Sequence, residues 1–155
     1  MAGRIDAKLA ELGITLPTPA APVANYVPFV RTGDLVVISG QIPLADGKMA
    51  FAGKVSEGLS LEQGVAAARL CFVNLLAQLR AACGGDLDRV QQVVRLGGFI
   101  ASPAAFTQHA PVMNGASDLA VAVFGDAGRH ARTTIGVPSL PMDAAVEVEG
   151  MFRIA

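Results

Sequence analysis

One long helix, with clear signals at both ends, is the feature of this sequence that most constrains its fold. Ser60 followed three residues later by Gln63 forms a capping box, in which each side chain bonds to the backbone of the other residue. Apolar residues then recur at steps of three and four until Gly84-Gly85 ends the helix. They are Val65, Ala68, Phe72, Leu75, Leu76, Leu79 and Cys83. Because this pattern marks one buried face, the helix has to pack on another apolar layer of the chain.

Strand patterns lie on both sides of this helix. Before it, two β-rich runs flank the turn residues Thr32-Gly33-Asp34 and predict a hairpin, and a short strand is predicted near Lys54-Val55. After it, a second helix is predicted within residues 110–124. The five main predicted strands cover residues 29–31, 35–39, 90–101, 130–138 and 145–154. This mixture of helices and strands predicts a small α+β domain.

The first 22 residues are predicted to be an extension docked on the main domain, which covers residues 23–155. Positions 5–12 have the pattern of a short amphipathic helix, and three prolines within residues 13–22 predict an extended connection. The chain of 155 residues is within the usual size of a single domain. We therefore expect one core, with the extension lying on its surface.

The charge balance argues against nucleic acid as a partner. Twelve Lys and Arg residues oppose thirteen Asp and Glu residues, and no basic run is present that could follow a phosphate backbone. No run of about 18 uncharged apolar residues is present to span a bilayer, and residues 1–12 lack a signal-peptide pattern, so a cytoplasmic protein is expected. Hydrophobic residues make up 52% of the chain and aromatic residues only 5%. Oligomerisation is expected to cover the surplus apolar surface.

The cysteines and histidines are too scattered to predict a metal site or a disulfide. Cys71 and Cys83 lie on one predicted helix, about 18 Å apart at 1.5 Å of rise per residue, so both are interpreted as buried apolar residues. His109 and His130 have no Cys or Asp at ligand spacing. His109 is expected to be a solvated loop residue. His130 is either a hydrogen-bonded structural residue or an acid or base near neutral pH.

Arg132 and Glu147 are the candidate functional pair. Each lies on the polar side of an alternating strand, and an antiparallel pairing of these strands around residues 139–141 would place Arg132 opposite Glu147 or one step diagonal to it. One interpretation is an exposed cross-strand ion pair that stabilises the fold by less than about 1 kcal/mol. The other is a site in which the arginine binds a substrate carboxylate and the glutamate holds or activates water.

Two motifs resemble those of the Rid/YjgF family of reactive intermediate deaminases, also called endoribonuclease L-PSP-like proteins. The run Ala131-Arg132-Thr133-Thr134-Ile135-Gly136-Val137-Pro138-Ser139-Leu140-Pro141, followed by Ala145-Val146-Glu147-Val148-Glu149, resembles the C-terminal signature. Val36-Val37-Ile38-Ser39-Gly40-Gln41-Ile42-Pro43 resembles the N-terminal one, and the match extends with gaps from about Asn25 to Ile154. The resemblance implies a chorismate-mutase-like fold, with a mixed sheet and two helices on one face. It also implies a homotrimer with ligand clefts between subunits.

The resemblance also implies a reaction and residue roles. The reaction would be hydrolysis of a 2-imino or enamine acid to the 2-oxo acid and ammonia, with no metal and no organic cofactor. Arg132 would bind the carboxylate of this small-molecule substrate, and Glu147 would position or activate water. Thr134 stands where the family often has Cys, at a position whose backbone is implied in binding. The remaining implied cleft and pocket residues are Tyr26, Ser39, Gly40 and Asn114.

Several departures from the family pattern leave other functions open. Residues 107–114 are longer than in typical deaminases, Gly115-Ala116-Ser117 replaces bulkier residues, and the N-terminal extension and Gly128-Arg129-His130 indicate a divergent branch. The alternative function is a non-catalytic trimeric protein that binds small carboxylates at the same cleft. A third hypothesis, ribonuclease or translation inhibition, is disfavoured by the neutral charge and the scarcity of aromatic residues for base stacking.

Overall fold

The computed structural model describes residues 2–155, and within them it places three α-helices beside a five-stranded mixed sheet. The helices are α1 (Arg4–Glu11), α2 (Leu61–Ala82) and α3 (His109–Phe124). The sheet strands are β1 (Phe29–Thr32), β2 (Leu35–Gln41), β7 (Val90–Ala101), β8 (Ala131–Val137) and β9 (Val146–Ile154). Two small pairs lie between β2 and α2: β3 (Leu44–Ala45) with β4 (Lys48–Met49), and β5 (Lys54–Val55) with β6 (Gly58–Leu59). The α+β prediction is confirmed.

The boundaries of α2 follow from local chemistry. Ser60 Oγ accepts a hydrogen bond from the backbone N–H of Gln63, and the Gln63 side chain accepts one from the N–H of Ser60, so the predicted capping box is confirmed. The helix is long and apolar enough to cross a membrane by length and composition alone. However, 61% of its most apolar 18-residue window is buried inside the structure. α2 packs beside α3 and against β2 and β9, as a core helix does.

The sheet order is β1-β2-β9-β7-β8. β7 is antiparallel to β9 and parallel to β8, so it lies between the two C-terminal strands. The expected antiparallel pairing of β8 with β9 is therefore wrong. The physical reason is the crossover through α3, since a strand, a helix and a second strand in succession place the two strands parallel and side by side. β8 takes the outer edge of β7, and β9 is left to pair with its other edge.

The N-terminal helix is joined to the domain by both its polar start and its apolar face. The Asp88 carboxylate accepts hydrogen bonds from the backbone N–H groups of Arg4 at 2.8 Å and Ile5 at 2.7 Å. Because these bonds stabilise the ionised form, they lower the pKa of Asp88. Ile5 and Leu9 are buried in the main core. Residues 2–12 thus add to the core. Because α1 is fixed there, the extended connection of residues 13–22 starts from a fixed position.

Both cysteines are buried, as the sequence predicts. Cys71 on α2 donates a hydrogen bond from Sγ to the carbonyl of Val146, and burial is the main reason why its pKa is raised. Cys83 follows α2 directly, and burial also raises its pKa. Thiols with raised pKa values are protonated and unreactive near neutral pH. The interpretation of both residues as core fillers is confirmed.

Candidate functional site

The sequence-predicted site residues lie in two separate groups on the chain. The first, which we call the acid half-site, consists of Tyr26, Ser39, Gly40 and Glu147, and all four line one pocket of about 440 Å³. The second, which we call the arginine half-site, consists of Asn114, Arg132 and Thr134 on α3 and β8.

Glu147 is the titratable centre of the acid half-site. It alternates along β9 with Val146 and Val148, which are fully buried against the helices, so its side chain points to the other face of the sheet. A Cβ atom on Gly40 would collide with the Glu147 carboxylate, which therefore lies directly over the glycine. Partial burial is the main reason why the pKa of Glu147 is raised, and the nearby Glu149 carboxylate raises it further. Such a carboxylate, once ionised, is a stronger base than an ordinary glutamate.

The irregular end of β2 brings the other acid half-site residues beside Glu147. The register between β2 and β9 shifts between Ile38 and Gln41, which offsets Ser39 and Gly40 from the regular ladder. Ser39 Oγ donates to the carbonyl of Val27 at 2.8 Å and so ties the segment that carries Tyr26 to β2. The Tyr26 side chain is 46% exposed at the rim of the pocket.

Arg132 is held on the helix side of the sheet by a set of hydrogen bonds to α3. Its Nη1 donates to Asn114 Oδ1 at 2.9 Å and to Ser117 Oγ at 3.0 Å, and its Nη2 donates to the carbonyl of Ala110 at 3.3 Å. The Nε–H and the second Nη2–H have no protein partner within residues 2–155. These two donors lie on one edge of the guanidinium, the geometry that binds a carboxylate bidentately.

Ser117 and His130 extend this network: Ser117 contacts Arg132 and His130 contacts Ser117, and the sequence predicted neither contact. The carbonyl of Gly128 can only accept, so His130 Nδ1, 2.6 Å away, carries a proton. In the neutral ring His130 Nε2 then accepts from the Ser117 hydroxyl at 2.9 Å, which leaves Ser117 Oγ to accept from Arg132. His130 is thus a hydrogen-bonded structural residue that holds Ser117 in place beside Arg132. One feature of the sequence could have predicted this network: Asn114 and Ser117 are three residues apart, so both lie on one face of the helix.

His109 lies on α3 and Thr134 on β8, the two elements that carry the arginine half-site. His109 is the first residue of α3, half-buried, with its ring edge-on to Phe106 at a centroid distance of 5.0 Å, so the expectation of a solvated loop residue is wrong. Thr134 lies on β8 on the same side as Arg132, and its hydroxyl oxygen is buried with no hydrogen-bond partner among residues 2–155. No group of three His, Cys, Asp or Glu residues in that range is arranged to hold a metal ion.

The structure does not bring Arg132 and Glu147 together within one chain. In the sheet register Arg132 pairs with Leu96, and Glu147 pairs with Phe99 from the other side of β7. Two strand spacings and three residues of rise separate their backbones by roughly 14 Å, and their side chains point to opposite faces. The predicted cross-strand ion pair is therefore wrong, and neither half-site is complete by itself for the predicted chemistry.

Comparison with known proteins places this architecture among its relatives. A family model described as "YjgF/chorismate_mutase-like, putative endoribonuclease" matches residues 6–152. Protein TCP17 of Trypanosoma cruzi is 46% identical over 153 residues, which cover 98% of this chain and 95% of that protein. The crystal structure of Atu1372 from Agrobacterium tumefaciens shares 44% identity and a TM-score of 0.92, covering 97% of this chain and 92% of that one. RidA from Psychrobacter sp. PAMC 21119 shares 26% identity and a TM-score of 0.62, covering 88% and 94%.

Proposed function

Because the chain belongs to the YjgF/chorismate mutase-like family, we propose that it hydrolyses 2-imino or enamine acids to 2-oxo acids and ammonia. The observation that carries the proposal is the pair of complementary half-sites. One presents a carboxylate of raised pKa in a pocket, and the other presents an arginine with its carboxylate-binding edge unoccupied by protein. Together they supply the two groups that the reaction needs.

The two half-sites meet when the arginine half-site of one copy faces the acid half-site of the next. They lie on opposite faces of the sheet, so this contact joins two different surfaces. A contact of this kind forms a ring when the rotation between copies closes, and a homotrimer is the ring that family membership favours. Exposed apolar residues near the pocket fit such a contact: Val23, Val27 and Met142 are 85%, 56% and 59% exposed. The chain thus has apolar surface to bury where a second copy would approach.

Substrate binding is the role of Arg132. Its Nε–H and remaining Nη2–H bind the two oxygens of the substrate carboxylate, while Asn114, Ser117 and the Ala110 carbonyl fix the plane of the guanidinium from the other side. Because the arginine is oriented before the substrate arrives, little side-chain entropy is lost on binding.

Water activation is the role of Glu147. The ionised carboxylate accepts a proton from water as the water oxygen bonds to the C=N carbon, and the electron pair of the broken π bond moves to nitrogen, which takes up a proton. The resulting carbinolamine expels ammonia as the C=O bond forms, with protons passing through Glu147. An enamine first takes a proton on its β-carbon and gives up a proton from nitrogen, and so becomes the imine. The sum is one water consumed and one ammonia released.

Turnover of freshly generated 2-iminopropanoate, followed as 2-oxo acid and ammonia, tests the proposal. We expect Arg132→Ala and Glu147→Gln to reduce kcat/KM by at least about 100-fold, since each removes a group that contacts the reacting substrate. Glu149→Gln is the matched control, measured at a pH at which Glu147 is ionised in both proteins, because Glu149 lies two residues along the same strand face and outside the pocket. Wild-type hydrolysis no faster than that of the Arg132 and Glu147 variants would reject the proposal.

A non-catalytic carboxylate-binding protein is the second candidate, and the pre-oriented Arg132 favours it, since that half-site needs no chemistry to bind a ligand. Saturable binding of pyruvate that is lost in Arg132→Ala, without turnover of any imino acid, would support this candidate. The net charge of -1 gives no support to the endoribonuclease activity in the family description, because RNA binding draws mainly on positive charge.

A further inference from the structure

Ser117 and His130 have the geometry of a serine nucleophile and its base. With the ring neutral, Ser117 Oγ donates to His130 Nε2 at 2.9 Å, and His130 Nδ1 donates to the carbonyl of Gly128 at 2.6 Å. The second bond fixes the tautomer in which Nε2 can accept a proton. A hydroxyl, an imidazole and an orienting acceptor in this order form the arrangement that serine hydrolases use. In the imine hydrolysis proposed above, these two side chains only hold Arg132 in position.

Backbone packing builds this pair into the fold. A Cβ atom on Gly128 would collide with the carbonyl of Ala120 and with the backbone of Val121, so the turn before β8 lies directly on α3. That close approach brings the Gly128 carbonyl, and with it the His130 ring, beside Ser117, which lies three residues before Ala120 on α3. Both side chains of the pair are half-buried. The pair is thus held firmly and is still open to a small molecule.

Arg132 and Asn114 supply the remaining groups that acyl transfer needs. Arg132 Nη1 donates to Ser117 Oγ at 3.0 Å, which stabilises this oxygen as it loses its proton. Because Ser117 Oγ donates one hydrogen bond and accepts one, a lone pair remains for attack. Asn114 Oδ1 accepts from Arg132, so the Nδ2 group points away from the guanidinium, and it has no protein partner within residues 2–155. Asn114 Nδ2 is therefore available to an oxyanion.

We infer that Ser117 is a second reactive centre, which hydrolyses esters of small dicarboxylic acids that keep one free carboxylate. The free carboxylate binds to the Nε–H and the remaining Nη2–H of Arg132. Because the same guanidinium contacts Ser117, the carboxylate and the ester carbonyl are only a few atoms apart, which favours a short acyl chain. All of these groups belong to the arginine half-site or contact it. The inference thus goes beyond the proposed function and does not depend on it.

Ester hydrolysis at Ser117 proceeds in two halves. Ser117 Oγ bonds to the carbonyl carbon as its proton passes to His130 Nε2, and Asn114 Nδ2 donates to the oxyanion that forms. The C–O bond to the alcohol breaks, and the alcohol takes the proton from His130, which leaves an acyl-serine. Water then gives a proton to His130 and bonds to the same carbon, and the acid leaves as Ser117 regains its proton. One water is consumed, and one acid and one alcohol are released.

Two esters of equal acyl chain length test the anchor and the nucleophile together. Monoethyl succinate carries a second carboxylate, and ethyl butanoate has a methyl group in its place. Because Arg132 binds that carboxylate, we expect kcat/KM for monoethyl succinate, measured as released ethanol, to be at least about 10-fold higher. Ser117→Ala and His130→Gln should each reduce it at least about 100-fold. The matched controls are Ser139→Ala, at an exposed serine, and His109→Gln, at the other histidine of the chain, and both should retain the activity.

A fluorophosphonate probe tests the nucleophile in the wild-type protein, so the result does not depend on how any variant folds. The probe loses fluoride as an activated serine oxygen bonds to phosphorus, and peptide mass spectrometry locates the adduct. An adduct on Ser117, together with turnover of monoethyl succinate that requires His130, supports the inference whether or not the protein hydrolyses imino acids. The inference is overturned by the absence of this adduct, by ester turnover no faster than in Ser117→Ala, by equal turnover in His130→Gln and the wild type, or by equal kcat/KM for the two esters.

Discussion

Arg132 and Glu147 lie on opposite faces of the sheet, two strands apart, with β7 between them. Each is supported by its own surroundings: Arg132 by hydrogen bonds to α3, and Glu147 by the close approach of Gly40. Within one folded chain, the backbones of the two residues are roughly 14 Å apart and their side chains point away from each other. Chemistry that needs both groups at one substrate therefore requires groups from two copies of the chain.

This arrangement predicts that inactive variants complement each other. Co-expression of Arg132→Ala with Glu147→Gln at equal levels is expected to restore activity, because some clefts combine the Arg132 of one copy with the Glu147 of the next. Random closed rings would contain both groups in about a quarter of the clefts, so we expect about a quarter of wild-type kcat per cleft. In the control, Glu147→Gln is co-expressed with the double variant that carries both Arg132→Ala and Glu147→Gln, so no copy supplies Glu147. Activity of the mixture no higher than that of this control would contradict a shared cleft.

The raised pKa of Glu147 predicts the pH dependence of the reaction. Burial, and secondarily Glu149, raise that pKa above the usual value of a glutamate, and a general base has to be ionised to act. We expect kcat/KM to rise with pH through the raised pKa. Glu149→Gln should move this limb to lower pH, because one cause of the shift is removed. A limb that stays in place in Glu149→Gln, measured on the same substrate, would contradict the assignment to Glu147.

The same shift has a consequence for stability. Between the usual pKa of a glutamate and the raised one, the folded chain binds more protons at Glu147 than the unfolded chain does. Stability is therefore expected to fall as pH rises through this window, and Glu147→Gln should remove that fall. Thermal unfolding of both proteins at several pH values measures the effect. A parallel pH dependence of Tm in the two proteins would show that Glu147 does not cause it.

The elements that the sequence predicts well are those defined by neighbouring residues. The start of α2 needs only Ser60 and Gln63, which are three positions apart, and the face on which Glu147 lies needs only the alternation along β9. For β8 the alternation itself was right, but the sequence placed Arg132 away from the apolar layer, whereas in the structure its side of β8 faces α3 and the side that carries Ile135 is exposed.

The predicted pairing of β8 with β9 was wrong because it depends on the order of the strands in the sheet. Alternation assigns a face to each residue of β8 and β9, but it carries no information about their neighbours. The order of the sheet is decided by the α3 crossover between β7 and β8, which a hairpin interpretation of residues 139–141 overlooked. The contact of Ser117 with His130 was missed for a related reason, because it joins residues on α3 and at the start of β8 through side-chain geometry alone.

Ser117 is predicted to position Arg132. Ser117→Ala removes one of the acceptors of Nη1, and a hydrogen bond to a charged group contributes about 1.5–3 kcal/mol. We expect KM to rise roughly 10-fold or more with a smaller change in kcat, because the arginine binds the carboxylate and does not touch the bond that breaks. Ser117→Thr keeps the hydroxyl and should restore most of the affinity. Equal KM values in Ser117→Ala and the wild type would show that Asn114 and the Ala110 carbonyl suffice.

Gly40 is predicted to be required by the position of Glu147 and not by backbone strain. Its φ is outside the left-handed region, so alanine fits the backbone conformation, but the added Cβ would collide with the Glu147 carboxylate. Gly40→Ala should displace the carboxylate by about 1 Å, and a displacement of that size costs about 100-fold in rate. We expect kcat to fall while Tm changes by only a few degrees, because Gly40 lies at the half-buried end of β2 and the side chain that has to move borders the pocket. Stopped-flow turnover and thermal unfolding of the same sample make the comparison. Full activity in Gly40→Ala would mean that Glu147 works from a position other than the one it occupies over Gly40.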